Sequence, residues 1–493
     1  MCGITGWIDW EKDLTQEQHK LTAMTKTLAL RGPDAEGFWL SSHAALGHRR
    51  LIVVDPKGGG QPMIRYRNNQ PYVLVYNGEL YNTPELRREL ESRGYDFQGH
   101  SDTEVLLNAF LEWGPACVNR LNGIYAFGVW SEADRSLFLA RDRMGVKPLF
   151  YAQTGKSFMF GSELKTLLAH PDISPKLDQE GLAEIFVLGP ARTPGHGVFR
   201  GIDELKPGHC LIHDRNGTKI QRYWTLESNL PGMADIDSSL YLFCREIKQK
   251  ATVALSGECA DEIFGGYPWF HSEDHLASGT FPWSRKIQTK MSLFSQSLIE
   301  LIKPEEYMAR RYQETIEEVP VLTGEDPQEA RRREMTYLNL NWFMQTLLDR
   351  KDRMSMAIGL EVRVPFCDHR IVEYVWNIPW SMKNHQNREK GILRRALRGV
   401  LPDDVLYRKK SPYPKTHNPA YLTAVKDWLL QIVNDPSSPL LPLIDVKAVR
   451  KMAESNTDAF DKPWFGQLMT GPQLFAFLIQ TDTWLKEYKV SIV

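Results

Sequence analysis

At 493 residues the chain exceeds one ordinary domain, and at roughly 100–200 residues per domain two or three are expected. Lysine and arginine total 60 against 61 aspartates and glutamates, a formal net charge of -1, which excludes a nucleic-acid binder held by bulk electrostatics. With 42% hydrophobic and 25% charged residues, the disordered, collagen-like and membrane classes are excluded as well.

The amino terminus has neither the basic nor the apolar region of a signal peptide, and no run approaches the ~18 apolar residues of a spanning helix. The six cysteines form no C-x-x-C pair, so a zinc site or disulfide framework is not expected, and a reducing cytoplasm fits best. Cys2 follows the initiator methionine, with Gly3 after it. Once Met1 is removed, one residue carries a thiol of pKa ~8.5 and an α-amine of pKa ~7.7–8.0 that can take its proton. Nucleophile and base then sit on the same residue.

Further along, Tyr72–Tyr76, Leu137–Ala140 and Ser157–Phe160 read as short strands bounded by Gly, Asn and Asp. Between them, Thr83–Arg93 and Thr103–Trp113 read as helices, the first entered through Thr83-Pro84-Glu85, the second through a Ser101–Glu104 capping-box spacing. Up to residue 225 the pattern is α+β. Beyond about 234 helices dominate, with few strands such as Thr252–Leu255. Ala330–Met356 reads as one long helix or two in series, and 435–445, rich in Pro and Ser, as a surface loop.

Four motifs follow Cys2 in order: R-G-P-D at Arg31–Asp34, G-H-R-R-L at Gly47–Leu51, Y-N-G-E-L-Y-N at Tyr76–Asn82 and S-D-T-E at Ser101–Glu104. Together they resemble the class II, N-terminal nucleophile, glutamine amidotransferase domain of asparagine synthetases. The resemblance implies a sandwich of two antiparallel sheets between helices over residues 1–225, in which Cys2 attacks the glutamine amide and releases ammonia through a thioester. It places glutamine against Arg50, Leu51, Ile52, Val53, Val54, Asn77, Gly78, Glu79 and Asp102. The chemistry suits: Asn77 and the Gly78 N–H supply oxyanion donors at a strand-to-turn junction. Arg50 offers a planar fork to the α-carboxylate, and Asp102 and Glu79 offer anions to the α-ammonium. Taken singly, Asn77-Gly78 reads as a hairpin turn and Arg50 as a surface ion pair. A-R-D-R-M-G-V-K-P-L-F-Y at 140–151 reads as scaffold with internal charge pairs.

In the second half, Thr252–Leu255 runs into Ser256-Gly257-Glu258-Cys259-Ala260-Asp261-Glu262, a strand, Ser-Gly and helix start of the kind that presents N–H groups to a nucleotide. It resembles the S-G-E-G-S-D-E stretch of the family's synthetase domain, with Cys259 and Ala260 replacing Gly and Ser. The resemblance implies a helix-rich α/β domain of ATP-pyrophosphatase type over 226–493. There Ser256 and Gly257 contact ATP, Glu258 assists formation of β-aspartyl-AMP, and Asp261 binds Mg2+. Asp352-Arg353, Glu361–Asp368, Arg388–Gly391 and Arg408–Lys410 match as well. Lys410, with Lys409 competing, is the implied charge-stabilising lysine.

One departure stands out. The family's pyrophosphate loop, S-G-G-x-D-S, is absent, and only about 25 residues separate Trp224 from Ala251, where the family has over twice that length. A break in the chain would show within 226–234 as a Cα step beyond 3.8 Å. True loss would bare apolar faces of a parallel sheet. Asp237-Ser238-Ser239 reads as an N-cap before Leu240–Lys250. The expected activity is asparagine synthesis from aspartate, with ATP and ammonia from glutamine, the ammonia crossing by a tunnel. Two alternatives stay open: another carboxylate as acceptor, or a glutaminase carrying a degenerate ATP domain. The implied partners are glutamine, aspartate and ATP, with no nucleic acid or membrane and a homodimer left open.

Overall fold

The computed structural model of the chain describes residues 2–224, 237–284, 287–320, 322–409, 419–454, 464–466 and 469–493. Its strands in chain order are β1 (Gly3–Asp9), β2 (Ala35–Leu40), β3 (Ala44–Arg50), β4 (Met63–Arg67), β5 (Gln70–Leu80), β6 (Gly123–Ser131), β7 (Ser136–Arg141), β8 (Phe150–Thr154) and β9 (Ser157–Gly161). They continue with β10 (Lys176–Leu177), β11 (Ile202–Glu204), β12 (His209–Asp214), β13 (Gly217–Arg222), β14 (Val253–Leu255), β15 (Glu361–Arg363) and β16 (Ser491–Ile492).

Two six-stranded antiparallel sheets, ordered β11-β8-β9-β1-β3-β2 and β13-β12-β7-β6-β5-β4, form the first half. Their facing sides bury Ile4, Ile8 and Leu46 from one sheet against Val73, Val75, Leu137 and Leu211 from the other. The outer side of the second sheet, with Leu74, Tyr76 and Phe127, is covered by Leu86 and Leu90 of helix Thr83–Ser92 and by Leu106 and Phe110 of helix Asp102–Trp113. Both faces of β5 are therefore covered, which explains why Val73-Leu74-Val75-Tyr76 is continuously apolar instead of alternating. Ser101 caps the second helix, its hydroxyl accepting from the Glu104 N–H at 3.3 Å. The Glu104 carboxylate does not complete a capping box; it accepts from the Gln98 and Gly99 N–H groups instead.

The second half is helical apart from the parallel pair β14–β15 and the strand β16. Pro327–Leu338, Asn339–Phe343 and Met344–Met356 run on as one rod with a π-helical turn at its middle, so both readings of that stretch were half right. The helix expected from Leu240 begins at Asp237 and absorbs Ser238-Ser239, so those residues are its first turn and not a cap outside it. The stretch 226–234, where the family loop should lie, is outside the described residues. Leu242, Phe243 and Leu255 are 48%, 55% and 73% exposed. Among the described residues no helix is long and apolar enough to cross a membrane.

The halves share one core. The outer face of the first sheet, with Trp7 and Met159, belongs to the same apolar cluster as Leu338, Phe343 and Val362. β16 adds in parallel to β10, tying the last residues of the chain to the first half. At the centre of the seam Asp352, 3% exposed, accepts from Arg31 Nη1 at 2.6 Å and Lys147 Nζ at 3.0 Å. Burial would raise its carboxyl pKa, but the two cations outweigh burial and hold it far below the usual range. A depressed carboxyl stabilises fully above its unfolded value of ~3.9, and the contribution is lost as pH falls below that. Asp352→Ala leaves Lys147 without its carboxylate and Arg31 with Glu163 alone and is expected to cost about 3–5 kcal/mol, read as a lowered urea midpoint at pH 7 whose gap to wild type begins to narrow only as pH falls below ~3.9.

Candidate functional site

The site forms where β1 begins and β3 ends, against β5 of the facing sheet. β1 pairs with β3 from Gly3 opposite Arg49, which sets Cys2 beside the loop after Arg50. The Cys2 backbone nitrogen donates to Asn77 Oδ1 at 3.1 Å, and the thiol lies 4.0 Å from the Leu51 carbonyl. Arg31 Nε donates to the Cys2 carbonyl at 3.2 Å. After methionine removal, the nitrogen held by Asn77 is the free α-amine. Burial pushes the Cys2 thiol up, so a base beside it matters, while the chain's amino group and Arg50 pull it down.

Asn77 is fully buried, and with its oxygen committed to Cys2 its Nδ2 has no hydrogen-bond partner. An orphaned buried donor costs about 1–3 kcal/mol, and here it is a preorganised donor beside a nucleophile, the arrangement an oxyanion needs. Asn77 and Gly78 lie within β5, opposite Ala126 and Tyr125 of β6. They are not a hairpin, and the strand-to-turn junction expected there is corrected. Glycine is required at 78 because a Cβ would sit 2.3 Å from the Ile124 carbonyl oxygen.

Arg50 is 8% exposed and donates to the carbonyls of Val54, Asp55 and Pro56 at 3.3, 2.7 and 3.0 Å. No carboxylate pairs with it among the described residues, so the surface ion pair is also corrected, and its charge is free to meet an anion. The following loop is shaped by Asp34, which accepts from the Ile52 N–H at 2.7 Å; Leu51 is buried, Val53 half-buried and Val54 exposed. Across the pocket Asp102 Oδ2 accepts from Tyr76 Oη at 2.7 Å and the Leu80 N–H at 3.1 Å, and burial raises its carboxyl. Burial and neighbouring Asp102 push Glu79 up to about 7. Arg50 brings a cation and Asp102 and Glu79 bring carboxyls, the two charges needed to meet an α-amino acid.

In the second half, the Ser256 N–H donates to the Arg363 carbonyl at 2.9 Å, and a Cβ on Gly257 would meet open space. Glu258 Oε1 pairs with Lys351 Nζ at 2.8 Å, while its buried Oε2 has no partner. Asp261 pairs with Lys390 Nζ at 2.8 Å. Cys259, standing where the motif has glycine, is buried in the left-handed region at φ 78°, a conformation costing a side-chain residue about 1–2 kcal/mol. Open space above Gly257 and the orphaned Glu258 oxygen fit a polar ligand such as a nucleotide. Lys410 lies outside the described residues; Lys409 is described and exposed.

Lys351, Lys390, Arg363 and Arg31 received no role from the sequence, although each falls in or beside a quoted motif; their partners lie far away in the chain. The 140–151 scaffold reading holds: Asp142 accepts from the N–H groups of Met144, Val146 and Lys147, all at 3.0 Å, and Arg141 donates to the Gly145, Lys147 and Leu205 carbonyls.

A cysteine at position 2 in a sandwich of antiparallel sheets, joined to a helical half with a Ser-Gly loop, is the arrangement of an amidotransferase coupled to a synthetase. Residues 1–224 match a family model described as a glutamine amidotransferase domain, and residues 219–486 one described as asparagine synthase. The glutamine-hydrolysing asparagine synthetase 3 of Bacillus subtilis is 45% identical across all of both chains, and asparagine synthetase B of Escherichia coli is 26% identical over 88% of this chain and 86% of its own. Among solved structures, a glutamine phosphoribosylpyrophosphate amidotransferase of B. subtilis superposes with a TM-score of 0.36 at 20% identity, over 52% of this chain and 60% of its own. The chain belongs to the glutamine-hydrolysing asparagine synthetase family. The B. subtilis comparison spans 613 positions against 493 residues here, so at least 120 positions of that relative (613 − 493) face no residue in this chain. Asn77→Ala is expected to lower kcat for glutamine hydrolysis about 10²–10³-fold with a much smaller change in KM, as measured by glutamate release.

Proposed function

We propose that the chain makes asparagine from aspartate with ATP, using nitrogen split from glutamine at Cys2. The observation that carries this reading is the contact of the Cys2 nitrogen with Asn77, whose remaining donor is buried and unpartnered beside the thiol. Glutamine binds with its α-carboxylate toward Arg50 and its α-ammonium toward Asp102 and Glu79. The thiol passes its proton to the α-amine and attacks the side-chain carbonyl, and the developing oxyanion is met by Asn77 Nδ2 and the Gly78 N–H. Collapse expels ammonia, leaving a thioester that water hydrolyses to glutamate.

In the second half aspartate must be activated, because a carboxylate resists amines until one oxygen becomes a good leaving group. ATP lies against Ser256 and Gly257, with Glu258 beside the reacting groups and Lys351 as its counter-charge. Asp261 would hold Mg2+, whose chemistry is to neutralise phosphate charge; Lys390 occupies that carboxylate in the structure. An apolar seam that includes Leu51, Val362 and Val364 supports internal passage of neutral ammonia between the halves.

Cys2→Ala is expected to abolish glutamine-dependent asparagine formation while ammonia-dependent formation, scored by AMP release with aspartate, survives. Equal failure of both would refute the division of labour. Glutamine hydrolysis by the wild type is expected to rise with pH through ~7.7–8.0, where the α-amine becomes a base.

A further inference from the structure

The carboxyl groups of the site are not held by the first half alone. Arg363, on β15 of the second half, places Nη2 3.0 Å from Glu79 Oε2, while its Nε lies 2.6 Å from Glu361 Oε1. The carbonyl of the same residue receives the Ser256 N–H, and Arg363 stands opposite Leu255 in the β14–β15 ladder. A single residue therefore touches the proposed glutamine-binding carboxylate with its side chain and the proposed ATP loop with its backbone.

The electrostatics give this contact a task. Asp102, Glu361 and burial all raise the Glu79 carboxyl, and against them stand Arg363 and, after it, the chain's amino group. An α-ammonium is best received by an ionised carboxylate, so a neutral Glu79 would bind glutamine poorly. We propose that Arg363 is a positioning residue of the amidotransferase site: paired with Glu79 at 3.0 Å, it supplies that carboxylate's counter-charge and holds it toward the glutamine α-ammonium, so that this site is complete only when β15 of the synthetase half is in place. The inference rests on the reading of Cys2 as a glutaminase nucleophile.

The test is steady-state glutamine hydrolysis by the full chain and by Arg363→Met, Arg363→Lys, Glu79→Gln and the double variant. Arg363→Met is expected to raise KM for glutamine about tenfold, the size of one charged hydrogen bond, with kcat within about twofold because Asn77 and Cys2 are untouched. Arg363→Lys, which keeps the charge, recovers most of the loss. In the Glu79→Gln background Arg363→Met adds less than about twofold, since an amide needs no cation to hold it ready. Alkylation of Cys2 by iodoacetamide, which has no amino-acid head group, proceeds at the wild-type rate in each variant and so separates lost recognition from a collapsed site; Arg363→Gln replaces Arg363→Met if the latter does not fold. An unchanged KM in Arg363→Met, or its full effect persisting without Glu79, overturns the role of Arg363. Absence of hydrolysis by the wild type overturns instead the reading on which it rests.

Discussion

A buried carboxylate shared by two cations holds the molecule together. Asp352 receives Arg31 and Lys147 from the other half of the chain, and Arg31 reaches on to the carbonyl of Cys2. The expense of removing three charges from water is met only when all three are in register. The seam between the halves is thus a matter of geometry as well as adhesion: a displaced Asp352 would leave Lys147 without its carboxylate and Arg31 with Glu163 alone. The same arginine therefore touches both the seam between the halves and the backbone of Cys2.

Around Cys2 the site is kept ready by unmet needs. Asn77 spends its oxygen on the Cys2 nitrogen and leaves a donor facing no acceptor. Arg50 is held by three carbonyls and has no anion among the described residues. Glu79 and Asp102 crowd two carboxyls together under burial. Each is unfavourable alone, and each is relieved by a different part of one amino acid carrying a carboxylate, an ammonium and an amide. In the second half, Glu258 and Asp261 are paired with Lys351 and Lys390, yet the buried Glu258 Oε2 is left without a partner.

The parallel pair β14–β15 is the hinge of the whole arrangement. It leaves Leu255 exposed, and yet it presents Ser256 at the end of one strand and Arg363 at the end of the other. Short as it is, it is fixed by its neighbours: Val362 and Val364 are buried in the shared core and Glu361 is 2% exposed.

Much was legible in the chain because it depended on local chemistry. Ser101 three residues before Glu104 marked a helix start, Tyr72–Tyr76 marked a strand, and the ordered motifs after Cys2 pointed to the amidotransferase family. Local reading also had its errors. Asn77-Gly78 has the composition of a turn, but the glycine serves the close approach of β6, a neighbour some 46 residues on that no short window contains; the π-helical turn at Asn339–Phe343 is likewise set by packing. What only the tertiary structure decided is which charges meet: Arg31 with Asp352, 321 residues apart, and Glu79 with Arg363. Helices and strands announce themselves through periodicity because their contacts are near in sequence. An ion pair across a domain seam has no period, and the partner of a cation such as Arg31 is selected by folding from 61 aspartates and glutamates.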